Sequence, residues 1–454
     1  MAHPSIVLFT RDLRVTDHPA LAAACAAGPV VPLFVLDDAI LTSRYAAPNR
    51  LSYLRDSLED LRRALRGRGG ELVVRRGDTL TEVESLVETT GAVTVHVSRD
   101  VSAHARRRAD ALAVLAARRG IALIEHPGIM IVPPDALSAS GGGPFQVFTP
   151  YFRRWSEVDH RAPVAAPAHV DVPAGIDPGA IPPLSALTSG TCAPELERGG
   201  ETAAQQRLAW WFDGPVDRYD TGRNELGADA TSRLSAALHF GCLSPGDIAA
   251  RLDVSRADHH AFLQELCWRD FNHQLLHARP DLVSEDIRSR GDRWRDDPEA
   301  FVAWQEGRTG YPLVDAGMRQ LLREGWMHNR ARMVVASFLT KHLYIDWRLG
   351  AWHFMDHLVD GDLANNMGQW QWTAGTGTDT RPNRVFNPVL QGQRYDPDGT
   401  YVRRFVPELA ALDTRHIHDP WEVAGSLFGP AVDYPAPIVE HREARARFLE
   451  ARGR

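Results

Sequence analysis

Over the first 130 residues, short apolar and β-branched runs alternate with amphipathic stretches: SIVLF, VVPLFVL, ELVVR, VTVHVS and IALIE are separated by segments of helical period. Strands covered on both faces by crossover helices read as near-continuous apolar runs, so this βαβα order predicts a doubly wound parallel α/β domain over residues 1–130. After the second run, Leu51, Leu54, Leu58, Leu61 and Leu65 recur at helical spacing, which sets a leucine stripe against the sheet and turns the arginines and acids outward. No GxGxxG follows a strand. A dinucleotide fingerprint is therefore absent, and a ligand is expected at the carboxyl ends of the strands on other contacts.

From Pro163 to Pro194 the chain turns to Pro, Ala, Gly and Ser with little periodicity, and residues 131–200 are expected to be an interdomain linker. Beyond Glu201 the period becomes helical. RLAWWF, SRLSAALHF, HHAFLQELCWRDFNHQLLH and GMRQLLREGWMHNRARMVVASFLTKHL read as amphipathic or buried helices, so residues 201–454 should form a mainly α-helical domain. No repeat of solenoid period is visible.

At 454 residues, 44% hydrophobic and 24% charged, the chain is long enough for two cores and ordinary in composition. No apolar run reaches membrane-spanning length and MAHPSIVLF lacks a basic-then-apolar leader, so a soluble, cytoplasmic protein is expected. Cys25, Cys192, Cys242 and Cys267 are scattered without a CxxC pair, which argues against a metal site and a disulfide framework. A formal charge of −7 counts against indiscriminate coating of nucleic acid and leaves room for a local basic surface. All twelve tryptophans lie at or beyond Trp155, and eleven at or beyond Trp210, which places the aromatic chemistry in the C-terminal part.

The run DGDLANNMGQWQWTAGTGTD, Asp360 to Asp379, sets two carboxylates around one Gly, then adjacent carboxamides and two indoles. Asp360 and Asp362 accept, Asn366 both donates and accepts, and Trp370 and Trp372 offer π-faces, a set suited to a polyfunctional aromatic ligand such as a flavin. An Asp-capped helix followed by a solvated loop accounts for the same residues. In TSRLSAALHF, Thr231 and Ser232 can cap a helix whose N–H groups, with Arg233, suit a phosphate, or can be a cap alone. Glu265 and Trp268 are three apart, and Asn329 and Met333 four apart, with Arg330 and Arg332 interleaved. Together these segments would line an aromatic slot with a cationic rim. Separately they read as core and solvated helix faces.

With these motifs in order (TSRLS, ELCWRDF, GYPLVDAGMRQL, GWMHNR, IDWR and DGDLANNMGQWQW), the chain closely resembles the photolyase/cryptochrome family over essentially its whole length. It is most like the class I cyclobutane pyrimidine dimer photolyases of bacteria. The resemblance implies FAD, active in its reduced anionic form, held by Tyr219, by Thr231, Ser232, Arg233, Leu234 and Ser235, and by Phe262, Asp360 and Asp362, with Arg332 paired to Asp360. Asn366 falls where the family faces flavin N5. Light would drive an electron from the flavin to a flipped-out dimer and back, with Glu265 hydrogen-bonded to the lesion. Trp268 and Trp372 would meet its apolar faces, and Arg269, Asn329, Arg330, Met333 and Gln391 the lesion or its phosphates. Trp370, Trp347 and Trp294 match the family's relay from flavin to surface.

Phe262 stands where some relatives carry a flavin-contacting Trp. Ala109 replaces a folate-contacting Glu, with Asp110 adjacent, while the APNR run ending at Arg50 and the SRD run ending at Asp100 resemble relatives that bind 8-hydroxy-5-deazaflavin. That chromophore is expected over methenyltetrahydrofolate, lined by Asp37, Arg50 and Asp100, although His239 stands where those relatives have Lys. The expected partner is DNA containing pyrimidine dimers, with no membrane and no obligate protein partner, and the protein acting as a monomer. A sensory cryptochrome, a (6-4) photolyase and a flavin oxidoreductase are the competing readings. The amide at Asn366, the absence of paired histidines at the positions of Asn329 and Met333, and the lack of a nicotinamide fingerprint count against them in turn.

Overall fold

The computed structural model describes residues 3–139, 141–228, 230–422 and 433–453. The five apolar runs form β1 (Ser5–Phe9), β2 (Val30–Asp37), β3 (Val73–Gly77), β4 (Thr94–Ser98) and β5 (Ala122–His126). They pair in parallel in the order β3-β2-β1-β4-β5. The chain winds outward from β1 through β2 to β3 and returns to β1's other edge with β4, so the switch point lies between β1 and β4. Ile6, Leu8, Val31, Leu33, Val73, Val95 and Val97 form one core with Val83, Leu86, Leu112 and Leu115 of the helices Thr79–Thr90 and Ala103–Arg119. Of the leucine stripe, Leu51, Leu58, Leu61 and Leu65 are buried in the helix Pro48–Arg66, and Leu54 is half-buried.

The Pro/Gly-rich connection is pinned although it has little regular structure. Val30 N–H donates to Asp171 O (2.7 Å), Val74 N–H to Pro178 O (2.8 Å) and Val170 N–H to Arg68 O (2.9 Å). A Cβ on Gly179 would lie 2.2 Å from Val74 O, so only glycine permits that approach. Ahead of this stretch, residues 131–200 also hold a helix, Phe148–Trp155, that buries Tyr151 and Trp155.

The chain divides into two compact units. One runs from the N-terminal strand through Thr191 and adds Glu197–Asp217 and Ser232–Pro280; the other takes Cys192–Leu196, Arg218–Thr231 and the residues from Asp281 on. The first therefore owns the long helix Ala257–Ala278 as well as the sheet. Within it, buried Asp270 accepts through Oδ2 from Ile131 N–H (3.0 Å), Val132 N–H (2.9 Å) and Trp155 Nε1 (3.0 Å). The second unit is helical: Pro312–Glu324, Asn329–Ser337, Trp347–His357, Leu363–Ala374 and Pro388–Tyr395 carry most of its candidate residues. Proline opens the first and last of these, and aspartates cap Trp347–His357 and Leu363–Ala374. No helix among the described residues is long and apolar enough to cross a membrane.

Candidate functional site

In the helical unit, Asp362 caps its own helix through one oxygen: Oδ1 accepts the N–H of Asn365 and its Nδ2, both at 2.9 Å. Asp360, two residues earlier, is buried and differently placed. Arg332 Nη2 donates to its Oδ2 at 2.7 Å, and Arg332 Nε is steadied by Met327 O at 2.8 Å. Asp360 Oδ1 is buried with no hydrogen-bond partner. Leaving a buried acceptor unmade costs about 1–3 kcal/mol, more for a charged group, so this oxygen is set for a donor from outside the chain. The imide N–H of a flavin ring is such a donor, and the residues present fit it. One turn into the helix, Asn366 Nδ2 donates to Ala351 O at 2.9 Å, which fixes the amide and turns its Oδ1 away from that carbonyl.

Trp370 is buried, with Phe354 edge-on at 5.0 Å and Trp304 at 6.0 Å between ring centres. A Cβ on Gly350 would sit 2.3 Å from Trp370, so glycine lets the helix Trp347–His357 lie against that indole. Trp347 is fully buried and donates from Nε1 to Asp286 Oδ1 at 2.9 Å. Trp294 is half-exposed beside Tyr344, 5.1 Å away. The three expected relay residues thus include two buried indoles and one that reaches solvent. Trp304, packed on Trp370, was not singled out by the sequence motifs.

Asn329 is exposed at the start of its helix, and Met333, one turn on, is half-buried. His328 is the cap: it is buried, and its Nδ1 accepts the N–H of Arg330 at 3.1 Å. Arg330 donates to Asn224 Oδ1 from Nε (3.1 Å) and Nη2 (2.5 Å), and its guanidinium lies 4.3 Å from the Tyr395 ring centre, which Arg394 also approaches, at 5.2 Å. Arg384 lies 5.3 Å from Trp372 and 5.0 Å from Phe386. Burial holds the Arg330 guanidinium below its ordinary range; Tyr395 opposes this, while Arg384, Arg394 and Arg223 push further down. Four arginines brought together among aromatic rings are matched to an anion that also carries π-faces. Gln391, half-buried, has an Oε1 with no partner. Sequence reasoning missed Arg223, Asn224, Arg384, Phe386, Arg394 and Tyr395; the Arg/aromatic interleaving of RPNRVFNPVLQGQRY was the available signal for the last four.

Tyr219 is buried at the head of a short helical turn in this unit, and Thr231 ends one of its segments. Ser232 to Ser235 belong to the other unit. There the capping expectation is corrected: the helix begins at Ser235, after Leu234 and not after Thr231 or Ser232, and it has no side-chain cap. The cause is Arg233, whose φ of 53° lies in the left-handed region and breaks the run. A non-glycine residue held there is strained, a state that commonly marks ligand clamps.

On Ala257–Ala278, Glu265 and Trp268 are both half-exposed and share a face, as the spacing predicts. Trp268 stacks on Phe148 at 3.8 Å and 5°. Phe262 is buried against Trp211 at 5.1 Å. Arg269 is a second correction: it is buried, and Nη1 donates to Ile129 O at 2.6 Å, so it anchors its helix and does not present its charge to DNA.

Of the proposed antenna residues, Asp37 and Asp100 lie at or just past the carboxyl ends of β2 and β4, while Arg50 lies in the helix Pro48–Arg66. Asp37 ends β2, caps Ala39 N–H at 2.9 Å and accepts from Thr79 Oγ1 at 2.6 Å. The Asp100 side chain, two residues past β4, is buried; burial pushes its carboxyl up, but Arg11, His273 and Arg108 outweigh that and hold it below the usual range. Arg50 is buried and donates to Tyr45 O from Nε (3.1 Å) and Nη2 (2.8 Å), so part of its donor set is already used by the chain. His239 accepts through its backbone O from Arg11 Nε at 3.1 Å. Among the described residues no cluster able to hold a metal ion occurs.

A parallel sheet with its switch point, a helical unit with an acceptor suited to a flavin, and an arginine/aromatic surface together point to a flavoprotein class that meets a polyanion. Family comparison agrees in both regions: residues 5–168 match the DNA photolyase family, and residues 262–454 match the FAD binding domain of DNA photolyase. The chain is 50% identical over 453 residues to a deoxyribodipyrimidine photo-lyase of Streptomyces griseus, covering 99% of each. Among solved structures, it matches a bacterial class III photolyase from Agrobacterium tumefaciens with a TM-score of 0.93 at 38% identity, covering 100% of this chain and 98% of that one. An archaeal photolyase from Sulfolobus tokodaii, with two FAD molecules, matches with a TM-score of 0.86 at 29% identity, covering 99% of each. The chain belongs to the photolyase/cryptochrome family.

Proposed function

We propose that this chain is a deoxyribodipyrimidine photo-lyase, a carbon–carbon lyase that uses light to split cyclobutane pyrimidine dimers in DNA. The observation that carries the reading is Asp360, paired to Arg332 through one oxygen with the other buried and unpartnered. Asp360, with Arg332 and Asp362, holds the flavin; Asn366, fixed by Ala351 O, offers it an amide in place of an acid. Reduced FAD supplies the excited electron donor. Glu265 and Trp268 of the one unit, and Trp372, Asn329 and Met333 of the other, are assigned to the flipped dimer, and Arg330 with Arg384 and Arg394 to the flanking phosphates. Trp370, Trp347 and Trp294 would serve as the path by which an electron reaches bound flavin from solvent. The test is illumination of the reduced protein with a dimer-containing oligonucleotide: restored thymines support the reading, and persistent dimers under light overturn it.

For the second chromophore the reading is 8-hydroxy-5-deazaflavin at Asp37, Arg50 and Asp100, supported by the missing folate Glu at Ala109 and by Arg50 as a cation for an anionic ring. Purification from a host that makes the deazaflavin should yield it with FAD. Stoichiometric folate, or a second FAD as in the archaeal relative, would replace it.

A further inference from the structure

Gln371, between the two tryptophans of GQWQW, is fully buried and does a job that the motif alone does not reveal. Its Nε2 donates to Leu282 O (2.8 Å) and Glu285 O (2.9 Å), and its Oε1 accepts from Ile287 N–H (2.8 Å). The three bonds fix segment 282–287 on the helix that carries Trp370. Asp286 lies inside that segment, and its Oδ1 accepts both the Trp347 indole N–H at 2.9 Å and Arg348 Nη2 at 3.0 Å. Arg348 also places its guanidinium 4.8 Å from the centre of the Trp347 ring, while its Nη1 reaches Asp346 Oδ1 at 3.1 Å.

We propose that Asp286 is the charge partner of Trp347 in the tryptophan relay, a positioning residue that acts through the indole N–H. The inference rests on the relay reading given above. Trp347 has no exposed surface, so when it gives one electron to oxidised Trp370 the positive charge left behind has no water to solvate it. A cation near the ring makes that loss harder, and the carboxylate on the N–H makes it easier. Asp286 does both corrective jobs, pairing the arginine and holding the indole proton in a charge-assisted bond. The electron count closes: photoexcited oxidised flavin is the oxidant, Trp370 and Trp347 each pass on one electron, Trp294 refills Trp347, and a soluble thiol refills Trp294. The indole proton stays on Nε1 throughout.

The test compares Asp286→Asn, Asp286→Glu and Trp347→Phe in FAD-loaded protein under blue light with thiol, and adds ultraviolet resonance Raman of the indole N–H in the dark. Asp286→Asn should keep its FAD, weaken the hydrogen-bond marker of Trp347 and slow photoreduction by about tenfold, the order set by loss of one charged hydrogen bond. Asp286→Glu should recover most of the rate. If Trp347→Phe blocks photoreduction while Asp286→Asn runs at the wild-type rate, Asp286 is not the charge partner. If Asp286→Asn is slow and Glu fails to restore it, the effect is structural and the proposal also falls. Full photoreduction in Trp347→Phe would instead remove the relay, and the proposal with it.

Discussion

Arg332 grips one oxygen of Asp360 at 2.7 Å, and the carboxylate's second oxygen is left buried and unpaired. The pair needs both its charge and its vacant acceptor. Asp360→Asn removes the charge and leaves Arg332 partly buried without it, a loss that for broken buried pairs runs to about 3–5 kcal/mol. The variant should elute from gel filtration with little FAD, read as the ratio of flavin to protein absorbance; full retention would show that Asp360 does not hold the cofactor.

Trp370→Phe should abolish photoreduction of oxidised FAD while dimer splitting proceeds when the flavin is chemically reduced beforehand. The indole packs edge-on against Phe354 and Trp304, a niche that a phenyl ring occupies without collapse. Equal loss of both activities would make Trp370 chiefly structural.

Glu265→Ala should lower repair per absorbed photon more than it lowers DNA affinity, and Arg330→Ala should do the reverse and flatten the salt dependence of binding. Filter binding at several salt concentrations, with repair measured on saturated complexes, separates the two. A Glu265→Ala variant deficient only in affinity would remove its role at the lesion.

Lys341, buried in a π-helical turn, donates to Pro382 O (3.1 Å) and Arg384 O (2.7 Å) and so holds the irregular segment that presents Arg384. Burial drives its ammonium down to about 7; Asp379 opposes this, while Arg452 and Arg384 reinforce it. Between that value and the ordinary lysine range the unfolded chain binds the extra proton, so stability should rise with pH there by up to about 1.4 kcal/mol per unit and flatten below it. Thermal melts from pH 7 to 10 should show this rise in the wild type and not in Lys341→Met. Parallel curves would refute the assignment.

The lesion follows from the register of one helix. Chemistry on (6-4) photoproducts in this family uses paired histidines at the positions of Asn329 and Met333, and neither residue here transfers a proton. His328 precedes that helix with non-helical backbone and is occupied as its cap, accepting from Arg330 N–H. Cyclobutane dimers should be repaired and (6-4) lesions left intact; light-dependent loss of (6-4) lesions from a defined oligonucleotide would overturn this.

The sheet was readable because its buried inner strands, β1, β2 and β4, declare themselves as near-continuous apolar runs, and the periodicity of the second half gave its helices. The carboxylates of DGD and the spacing of Asn329 to Met333 could also be read, since they depend on local geometry alone. What could not be read is set by distant partners. Arg269 looks like any rim cation in ELCWRDF, and only the carbonyl of Ile129 shows that its charge is turned inward. Thr231 and Ser232 look like caps until the left-handed Arg233 intervenes. Arg384 lies in an irregular stretch and Arg394 at the end of the short helix Pro388–Tyr395, so their convergence with Arg330 required the fold.

The helix that bears Glu265 is bolted to residues 129–155: Arg269 to Ile129, Asp270 to Ile131, Val132 and Trp155, and Gln274 Nε2 to Phe145 O at 3.0 Å. For protein engineering this sets where a graft can be cut. A chimaera that borrows another relative's N-terminal half and joins it beyond Trp155 would separate the helix bearing Glu265 from the residues it packs on. The exchangeable part therefore ends before Ile129, and a transplant cut later must repack residues 129–155 against that helix.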